Sequence, residues 1–294
     1  MSMNTRNLRF RSNRIRDILG LFHEELDPLY GSGEVAAFCE ILCEAFLGWD
    51  RVRLLTEKEK TIDQSDLLRF HWALEDLHRH RPIQHIVGYT DFCGCRIEVC
   101  PDVLIPRPET EEMVRWITGG NLPEAGSILD LCTGSGCIAI ALKQAFPRAE
   151  VTAVDVSDRA LAVAQRNATA NGTEVEFQHA DVLSARFGEE FGRYSLIVSN
   201  PPYVRECEKA RMSANVLDYD PALALFVPDD DPLRFYRAIG IFAQEHLGEN
   251  GLLALEINEA LGDETCELLH RTGFSPTLHT DFRGRKRWVS AHKD

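Results

Sequence analysis

From Ser127 onward, short apolar runs alternate with longer stretches in which apolar residues recur at helical spacing. The apolar runs cover residues 128–131, 151–154, 175–177, 196–198 and 252–257. Strands that alternate with helices build a mostly parallel sheet, because each helix crosses back over the sheet in a right-handed connection. Two further candidates, 277–282 and 287–291, are expected to pair antiparallel at one edge. The sequence therefore predicts an α/β fold with a Rossmann-like, mostly parallel sheet and an antiparallel edge strand.

The N-terminal part of the chain has a different pattern. Between residues 5 and 80 apolar residues recur at helical spacing, for example at Ile15, Ile18 and Phe22. Residues 61–79 are predicted to form a further helix. This region is therefore predicted to be a small helical bundle.

Between residues 81 and 108 the periodicity changes again. Residues 86–88, Phe92 and the alternating residues 96–99 predict a short β-hairpin, which is followed by the proline-rich stretch 104–108. Pro108 suits the first turn of a helix, where its missing N–H has no intrahelical partner, and Gly119-Gly120 ends that helix. We therefore divide the chain into a helical domain at 1–80, a connector at 81–108 and an α/β domain at 109–294.

The net charge argues against a general nucleic-acid binder. The 294 residues include 32 Lys and Arg against 46 Asp and Glu, a formal charge of −14. Binding to a phosphate backbone draws most of its affinity from basic side chains. The local exception is a group of arginines near the first helix: Arg6, Arg9, Arg11, Arg14 and Arg16. We interpret this group as a solvated helix face rather than an RNA contact.

Composition also bears on location and metal content. No apolar run approaches the roughly 18–20 residues of a membrane span, and the first residues lack the apolar stretch of a secretory signal, so a cytoplasmic protein is expected. The nine cysteines include no Cys-x-x-Cys pair and lie among apolar segments, as buried thiols do in a reducing compartment. Cys93 and Cys95 have no matching His or Cys pair nearby, so no metal is expected.

A glycine turn follows the first strand of the sheet. Residues 130–136 read Asp-Leu-Cys-Thr-Gly-Ser-Gly and lead into a helix. Glycine lets the backbone turn tightly there and lets a ligand approach without a Cβ in the way. We predict that the turn binds a cofactor through Cys132, Thr133, Gly134, Ser135 and Gly136.

Acidic residues end the next two strands. Asp155 is placed to accept hydrogen bonds from both hydroxyls of a ribose, while Asp181 could bond the exocyclic amine of adenine and Val182 could pack against its ring. Each acid alone could be a helix cap or a loop residue. Together with the glycine turn they predict a nucleoside cofactor. Gly134, Gly136 and Ala139 also fit the looser dinucleotide fingerprint, so NAD is one candidate.

The fourth strand runs into Asn200-Pro201-Pro202-Tyr203. Two prolines cannot continue a central strand, so the chain leaves the sheet as a rigid loop at the carboxyl edge, where ligand sites of open α/β sheets lie. The Asn200 oxygen and a proline-held carbonyl can accept both N–H hydrogens of a planar nitrogen, and Tyr203 can pack on its flat face. This loop favours S-adenosylmethionine over NAD and predicts methyl transfer to an amide or aromatic amine, with no general base required.

With these motifs the chain resembles the release factor glutamine methyltransferases (HemK/PrmC family) over almost its whole length. The most specific stretch runs from Pro82 to Gly88, through Phe92, to residues 103–111. The resemblance implies a class I methyltransferase fold, S-adenosylmethionine as cofactor and S-adenosylhomocysteine as product. It also implies methylation of the glutamine in the Gly-Gly-Gln motif of class 1 peptide chain release factors, to N5-methylglutamine.

The resemblance carries expectations for partners as well. The helical domain and connector would help to hold the release factor, and residues 107–111, which begin with Arg107, would line the cofactor or acceptor pocket. We expect class 1 release factors as partners, no direct nucleic-acid binding, no membrane association and a monomer. Cys132 departs from the glycine usual in the family, which predicts altered packing near the methionine moiety. Val182 departs from an aromatic residue found in relatives.

Two other acceptors remain open. A related class of enzymes methylates a glutamine of a large-subunit ribosomal protein and shares the connector motif. Adenine-N6 DNA methyltransferases share Asn-Pro-Pro-Tyr, although the charge of −14 and the lack of a recognisable DNA-reading domain argue against that acceptor. An inactive scaffold would predict damage at Asn200 or Asp155, and both residues are intact.

Overall fold

The computed structural model describes residues 10, 12–121, 126–212 and 214–294. The chain divides into two compact units after Gly88. The three-part division at residues 80 and 108 stays a prediction. Of the arginine group, Arg6, Arg9 and Arg11 lie outside the described residues. Arg14 and Arg16 face Glu59 at 3.9 and 2.7 Å.

The first unit is helical, as predicted. Its helices are α1 (Ile15–Tyr30), α2 (Ser32–Leu47), α3 (Arg51–Thr56), α4 (Gln64–His78) and α5 (Ile83–Val87). The Asp50 and Asp63 side chains accept hydrogen bonds from the backbone N–H groups of Arg53 and Asp66, which caps the N-termini of α3 and α4. The apolar residues at helical spacing, among them Ile15, Phe22 and Phe70, form a buried core.

The predicted extended conformation at residues 86–88 is wrong. Ile83, Ile86 and Val87 have the i, i+3, i+4 spacing of a helix and join the core of the first unit. Pro82 precedes the helix, and Gly88, with φ of +86°, ends it. The stabilisation from burying one face of this short helix therefore outweighs the β propensity of its residues.

The hairpin lies just downstream. Its strands β1 (Tyr89–Phe92) and β2 (Cys95–Glu98) pair antiparallel, and both turn residues, Cys93 and Gly94, have positive φ, as a two-residue hairpin turn requires. Helix α6 (Pro108–Trp116) begins at the predicted proline, and a π-helical turn, Ile117–Asn121, contains Gly120 with φ of +105°.

The rest of the second unit is built around a seven-stranded sheet. In chain order the elements are β3 (Ser127–Leu131), α7 (Cys137–Ala145), β4 (Glu150–Asp155), α8 (Asp158–Ala170), β5 (Glu176–His179), β6 (Tyr194–Ser199), β7 (Val204–Arg205), α9 (Ala214–Leu217), α10 (Ala222–Leu225), β8 (Phe226–Val227), α11 (Arg234–His246), β9 (Leu247–Glu256), α12 (Gly262–Arg271), β10 (Phe274–Thr280) and β11 (Lys286–Lys293). The order of the seven-stranded sheet is β10-β11-β9-β6-β3-β4-β5, and β7 and β8 form a separate two-stranded sheet. The predicted mostly parallel sheet is confirmed, and its reversed strand is β11, second from the edge.

Alternating strand residues bury against helices on both faces. Ile128 packs in one core with Ile138 and Val163 from α7 and α8. Its neighbour Leu129 packs in the other core with residues of α11 and α12, including Tyr236 and Leu269. Burying one such side chain contributes about 1.5–3 kcal/mol, so both faces anchor the sheet.

The register of the sheet places the predicted site residues side by side at the carboxyl ends of three strands. Leu131 of β3 pairs with Val154 of β4 and with Ser199 of β6. The residues that follow these positions, Cys132, Asp155 and Asn200, therefore leave three adjacent strands side by side. Within the described residues, no helix is long and apolar enough to cross a membrane.

Candidate functional site

A cavity of about 380 Å³ opens at the carboxyl ends of the central strands. Nine of the predicted site residues line it: Cys132, Thr133, Gly134, Ser135, Asp155, Asp181, Val182, Asn200 and Pro202. The residues predicted to bind a cofactor and the loop predicted to hold an acceptor thus share one cavity. The other predicted residues, Gly136, Pro201, Tyr203 and Arg107, are not among the residues that line it.

The two glycines of the turn do different work. Gly134 has φ of +56°, and a Cβ built there would meet no atom within 4 Å, so this glycine leaves space at the cavity wall. Gly136 has φ of +80°, and its Cβ would lie 3.0 Å from the Cβ of Ala164. Gly136 therefore allows α7 and α8 to approach closely, which is a packing role.

Cys132 also has a left-handed backbone, with φ of +60°. A residue with a Cβ is strained in this conformation, whereas glycine is not. The backbone conformation at this position therefore suits glycine, the residue that the family resemblance led us to expect here. Burial raises the pKa of the Cys132 thiol, which keeps it protonated and unreactive.

Asp130 is a site residue that the sequence analysis quoted but gave no role. It is fully buried, and its Oδ2 accepts hydrogen bonds from Thr133 Oγ1 at 2.6 Å and from the Ala139 backbone N–H at 3.2 Å. Burial raises its pKa to about 7. Asp130 ties the glycine turn to the start of α7, and a charged residue within an apolar strand was the signal for it.

Asn167 is a second residue that the sequence analysis missed. Its side chain donates to the carbonyl oxygens of Ser135 at 2.9 Å and Glu98 at 3.0 Å, and accepts from the Glu98 N–H at 2.7 Å. It is 1% exposed. Asn167 thereby joins the glycine turn to strand β2, and no local motif marks a contact between segments so distant in sequence.

Of the two predicted acids, Asp155 is the last residue of β4, as expected, whereas Asp181 lies two residues beyond the end of β5. Asp155 accepts backbone N–H bonds from Gly134 at 2.8 Å and Ser157 at 2.9 Å, one on each oxygen. Burial raises the pKa of Asp155. Asp181 is exposed at the cavity and accepts from the Leu183 N–H at 2.8 Å, while its neighbour Val182 is buried in the apolar wall. Each carboxylate oxygen can accept a further hydrogen bond from a ligand.

Asn200 is held by a residue of α6. Its Nδ2 donates to Thr110 Oγ1 at 3.1 Å, and the Thr110 hydroxyl donates to Glu256 Oε2 at 2.5 Å. Thr110 also lines the cavity. Neither Thr110 nor Glu256 was singled out from the sequence, although a Glu at the end of an apolar strand was visible.

Tyr203 meets the same glutamate. Its hydroxyl donates to Glu256 Oε1 at 3.0 Å, and its ring packs beside the apolar core. Burial, followed by the charge of Glu256, raises the pKa of Tyr203 well above its ordinary value, so the hydroxyl is a donor. Pro201 is buried behind the cavity wall. The packing of Tyr203 on an acceptor stays a prediction.

Arg107 pairs with Asp220, whose carboxylate is buried, across 113 positions of sequence. The pair ties the start of α6 to the segment before α10. The elements that follow, α10, β8 and α11, supply cavity wall that the sequence analysis did not identify, including Leu223, Phe226 and Phe235. A direct cofactor contact by Arg107 stays a prediction.

No group of three or more His, Cys, Asp and Glu residues in the described part of the chain is arranged to hold a metal ion. The cavity wall instead combines hydrogen-bonding groups with apolar side chains, which is the usual make-up of a small-molecule site.

Comparison with known proteins places this geometry in a family. A methyltransferase small domain family matches residues 117–218, and a PrmC N-terminal domain family matches residues 28–88. The release factor glutamine methyltransferase of Flavobacterium psychrophilum is 43% identical over 277 residues, which cover 92% of this chain and 96% of the relative. That of Bacteroides thetaiotaomicron is 41% identical and covers 94% and 99%.

A solved structure agrees on the fold. A methyltransferase from Pyrococcus furiosus superposes with a TM-score of 0.50 at 19% identity, and the match covers 67% of this chain and 88% of that protein. Identity over nearly the full length of the relatives is the stronger result: the chain belongs to the release factor glutamine methyltransferase family.

Proposed function

We propose that this protein transfers a methyl group from S-adenosylmethionine to the side-chain amide of the glutamine in the Gly-Gly-Gln motif of class 1 peptide chain release factors, giving N5-methylglutamine. One observation carries the proposal: Asn200 lines the same cavity as Gly134 and Asp155. A group suited to an amide acceptor and groups suited to a nucleoside are therefore adjacent. The names of the relatives support the choice of acceptor.

The residues present fit this cofactor. The open space above Gly134 suits close approach of a ligand, Asp155 can accept from ribose hydroxyls, and Val182 offers an apolar surface for a base. Asp181 can accept from an adenine amine. S-adenosylmethionine bound there would supply an electrophilic methyl group on a sulfonium.

The protein would act by positioning the acceptor. The lone pair of an amide nitrogen is delocalised, which makes that nitrogen a poor nucleophile. Asn200 Oδ1 and a carbonyl of the proline loop can accept its N–H groups, which fixes the nitrogen and favours positive charge on it. No side chain has to remove a proton before transfer.

We also propose a division of labour along the chain. The helical region 1–80 and the connector 81–108 contribute to recognition of the release factor, and residues 109–294 carry methyl transfer. The match of a PrmC N-terminal domain family to residues 28–88 supports a family-specific role for the helical region. A cytoplasmic monomer fits the same proposal.

Mass spectrometry tests the proposal. A recombinant class 1 release factor is incubated with this protein and S-adenosylmethionine, beside a release factor with Gln→Ala in its Gly-Gly-Gln motif. We expect a gain of one methylene confined to that glutamine, and none in the altered factor. No gain on the release factor, with a gain on a glutamine of a large-subunit ribosomal protein, would reassign the substrate.

A further inference from the structure

A chain of hydrogen bonds runs from the protein interior to the acceptor loop. Glu256, at the end of β9, is 2% exposed. One of its oxygens accepts from Thr110, which accepts from Asn200, and the other oxygen accepts from Tyr203. A single buried carboxylate therefore reaches both ends of the loop Asn200–Tyr203.

The direction of each bond follows from the chemistry of the groups. A carboxylate only accepts, so the Thr110 hydroxyl must give its proton to Glu256. The Thr110 oxygen is then an acceptor for its other neighbour, and of the two amide atoms of Asn200 only Nδ2 can donate. Nδ2 is therefore held against Thr110, and Oδ1 is the amide atom left available at the cavity.

We propose that Glu256 and Thr110 are positioning residues for the acceptor amide: they fix which way round the Asn200 amide lies, so that its oxygen faces the N–H of the acceptor. Through Tyr203 the same carboxylate also fixes the far end of the loop. The inference rests on the proposed function and deepens it. An inverted Asn200 amide would present N–H to N–H and repel the acceptor.

The charge state of Glu256 matters to this arrangement. Its pKa is raised to about 7, chiefly by burial, while hydrogen bonds from Thr110 and Tyr203 oppose the rise. The other groups that act on it are Glu109 of α6, whose charge raises the pKa, and Arg287 of β11, whose charge lowers it. A protonated Glu256 has an O–H of its own and no longer accepts from both partners, so the direction of the Thr110 bond is no longer fixed.

The first test replaces the middle of the chain. Thr110→Val keeps the shape of the side chain but removes the acceptor for Asn200 Nδ2. We expect kcat to fall by roughly 10- to 100-fold, as for a misplaced reacting group, with the dissociation constant of S-adenosylmethionine and the KM for release factor little changed. Thr110→Ser, which restores a hydroxyl, regains most of the lost rate.

Thr118→Val is the matched control. Thr118 lies two residues past the end of α6, and its hydroxyl donates to the backbone carbonyls of Val114 and Arg115. Its rate should equal that of the unaltered protein. A Thr110→Val protein with unaltered kcat, or a loss of rate that Thr110→Ser does not regain, would overturn the inference.

The second test uses pH at saturating cofactor, because Asp130, with a pKa near 7, also titrates beneath the glycine turn. We expect kcat of the unaltered protein to fall as the pH falls through about 7. Glu256→Gln cannot titrate, so its kcat should be lower and should lose this dependence. The same pH dependence in Glu256→Gln would assign it to another group and count against the inference.

A third readout needs no acceptor at all. In ¹⁵N-labelled protein, the side-chain amide signals of Asn200 are identified by their loss in Asn200→Ala. We expect slowed hydrogen exchange at Nδ2 that Thr110→Val removes and Thr118→Val preserves. If release factor is not methylated but this protection is seen, the proposed acceptor fails and the positioning chain stands. If release factor is methylated but the protection is absent, the positioning chain fails.

Discussion

The proposed cofactor-binding residues line one side of the cavity (the cofactor side), and the proposed acceptor loop lines the other (the acceptor side). The contacts that hold the two sides in place differ in how far apart their residues lie in the sequence. On the cofactor side three supporting bonds are local: Asp130 binds Thr133, Asp155 binds Ser157 and Asp181 binds Leu183, each within three residues. The longer bonds made by the glycine turn, from Gly134 to Asp155 and from Asn167 to Ser135, span 21 and 32 positions. On the acceptor side they are distant: Asn200 and Thr110 are 90 positions apart, and Thr110 and Glu256 are 146 apart. Local sequence thus encodes more of the first side, whereas tertiary folding assembles the second.

The difference implies that the two sides can be altered separately. The side chains on the cofactor side are held largely by the glycine turn and by residues close to them in sequence. An acceptor group acts through side chains that meet only when α6, β6 and β9 are all in place. Substitutions on the cofactor side should therefore lower cofactor affinity, and substitutions on the acceptor side should lower turnover.

Asn200→Ala should have the largest effect. It removes the group that accepts an N–H of the acceptor, and removing one preorganised polar group from a reaction site costs on the order of 10²- to 10³-fold in kcat. Cofactor affinity should stay nearly unchanged. Methyl transfer with a tritiated methyl donor gives the rate, and calorimetry gives the affinity. Parallel losses in both would end the proposed division between the two sides.

Asp155→Ala tests the opposite side. It removes acceptors for ribose hydroxyls and also frees the Gly134 and Ser157 N–H groups, so cofactor binding should weaken by about 1–3 kcal/mol. Turnover at saturating cofactor should change much less. Calorimetric titration with S-adenosylmethionine measures the loss.

Asp158→Ala is the control for Asp155. Asp158 carries the same charge at the start of α8, but its side chain is 88% exposed and lies outside the cavity wall. Its affinity should match that of the unaltered protein. Equal weakening in the two variants would attribute the effect to charge alone and remove the assigned role of Asp155.

The same contrast explains what could be predicted from the sequence. The sheet, the helix that begins at Pro108, and the cofactor residues from Cys132 to Val182 follow from periodicity and from motifs a few residues long. Asn200 was found because two prolines mark the end of its strand. The extended conformation predicted at residues 86–88 failed because tertiary burial selected a helix there.

The supporting residues could not be found in this way. Thr110, Asn167 and Glu256 act by contacting groups between 32 and 146 positions away, and one sequence holds no record of such proximity. The role of Arg107 shows the same limit. Its motif was recognised, yet only the fold reveals that its guanidinium meets the buried Asp220.

The smallest predicted effect concerns Cys132 on the cofactor side. The backbone conformation at this position is unfavourable for a residue with a side chain. With φ of +60°, any Cβ is strained there. Cys132→Gly and Cys132→Ala both remove the sulfur, but only glycine removes the strain, so the glycine variant should be more stable by about 1 kcal/mol. Cys39, buried within helix α2, gives a control in which the opposite order is expected. In a helix interior Ala gives a protein that is more stable than Gly does by about 1 kcal/mol. Urea unfolding of the four variants measures both differences. Alanine more stable than glycine at both positions would mean that Cys132 is not strained.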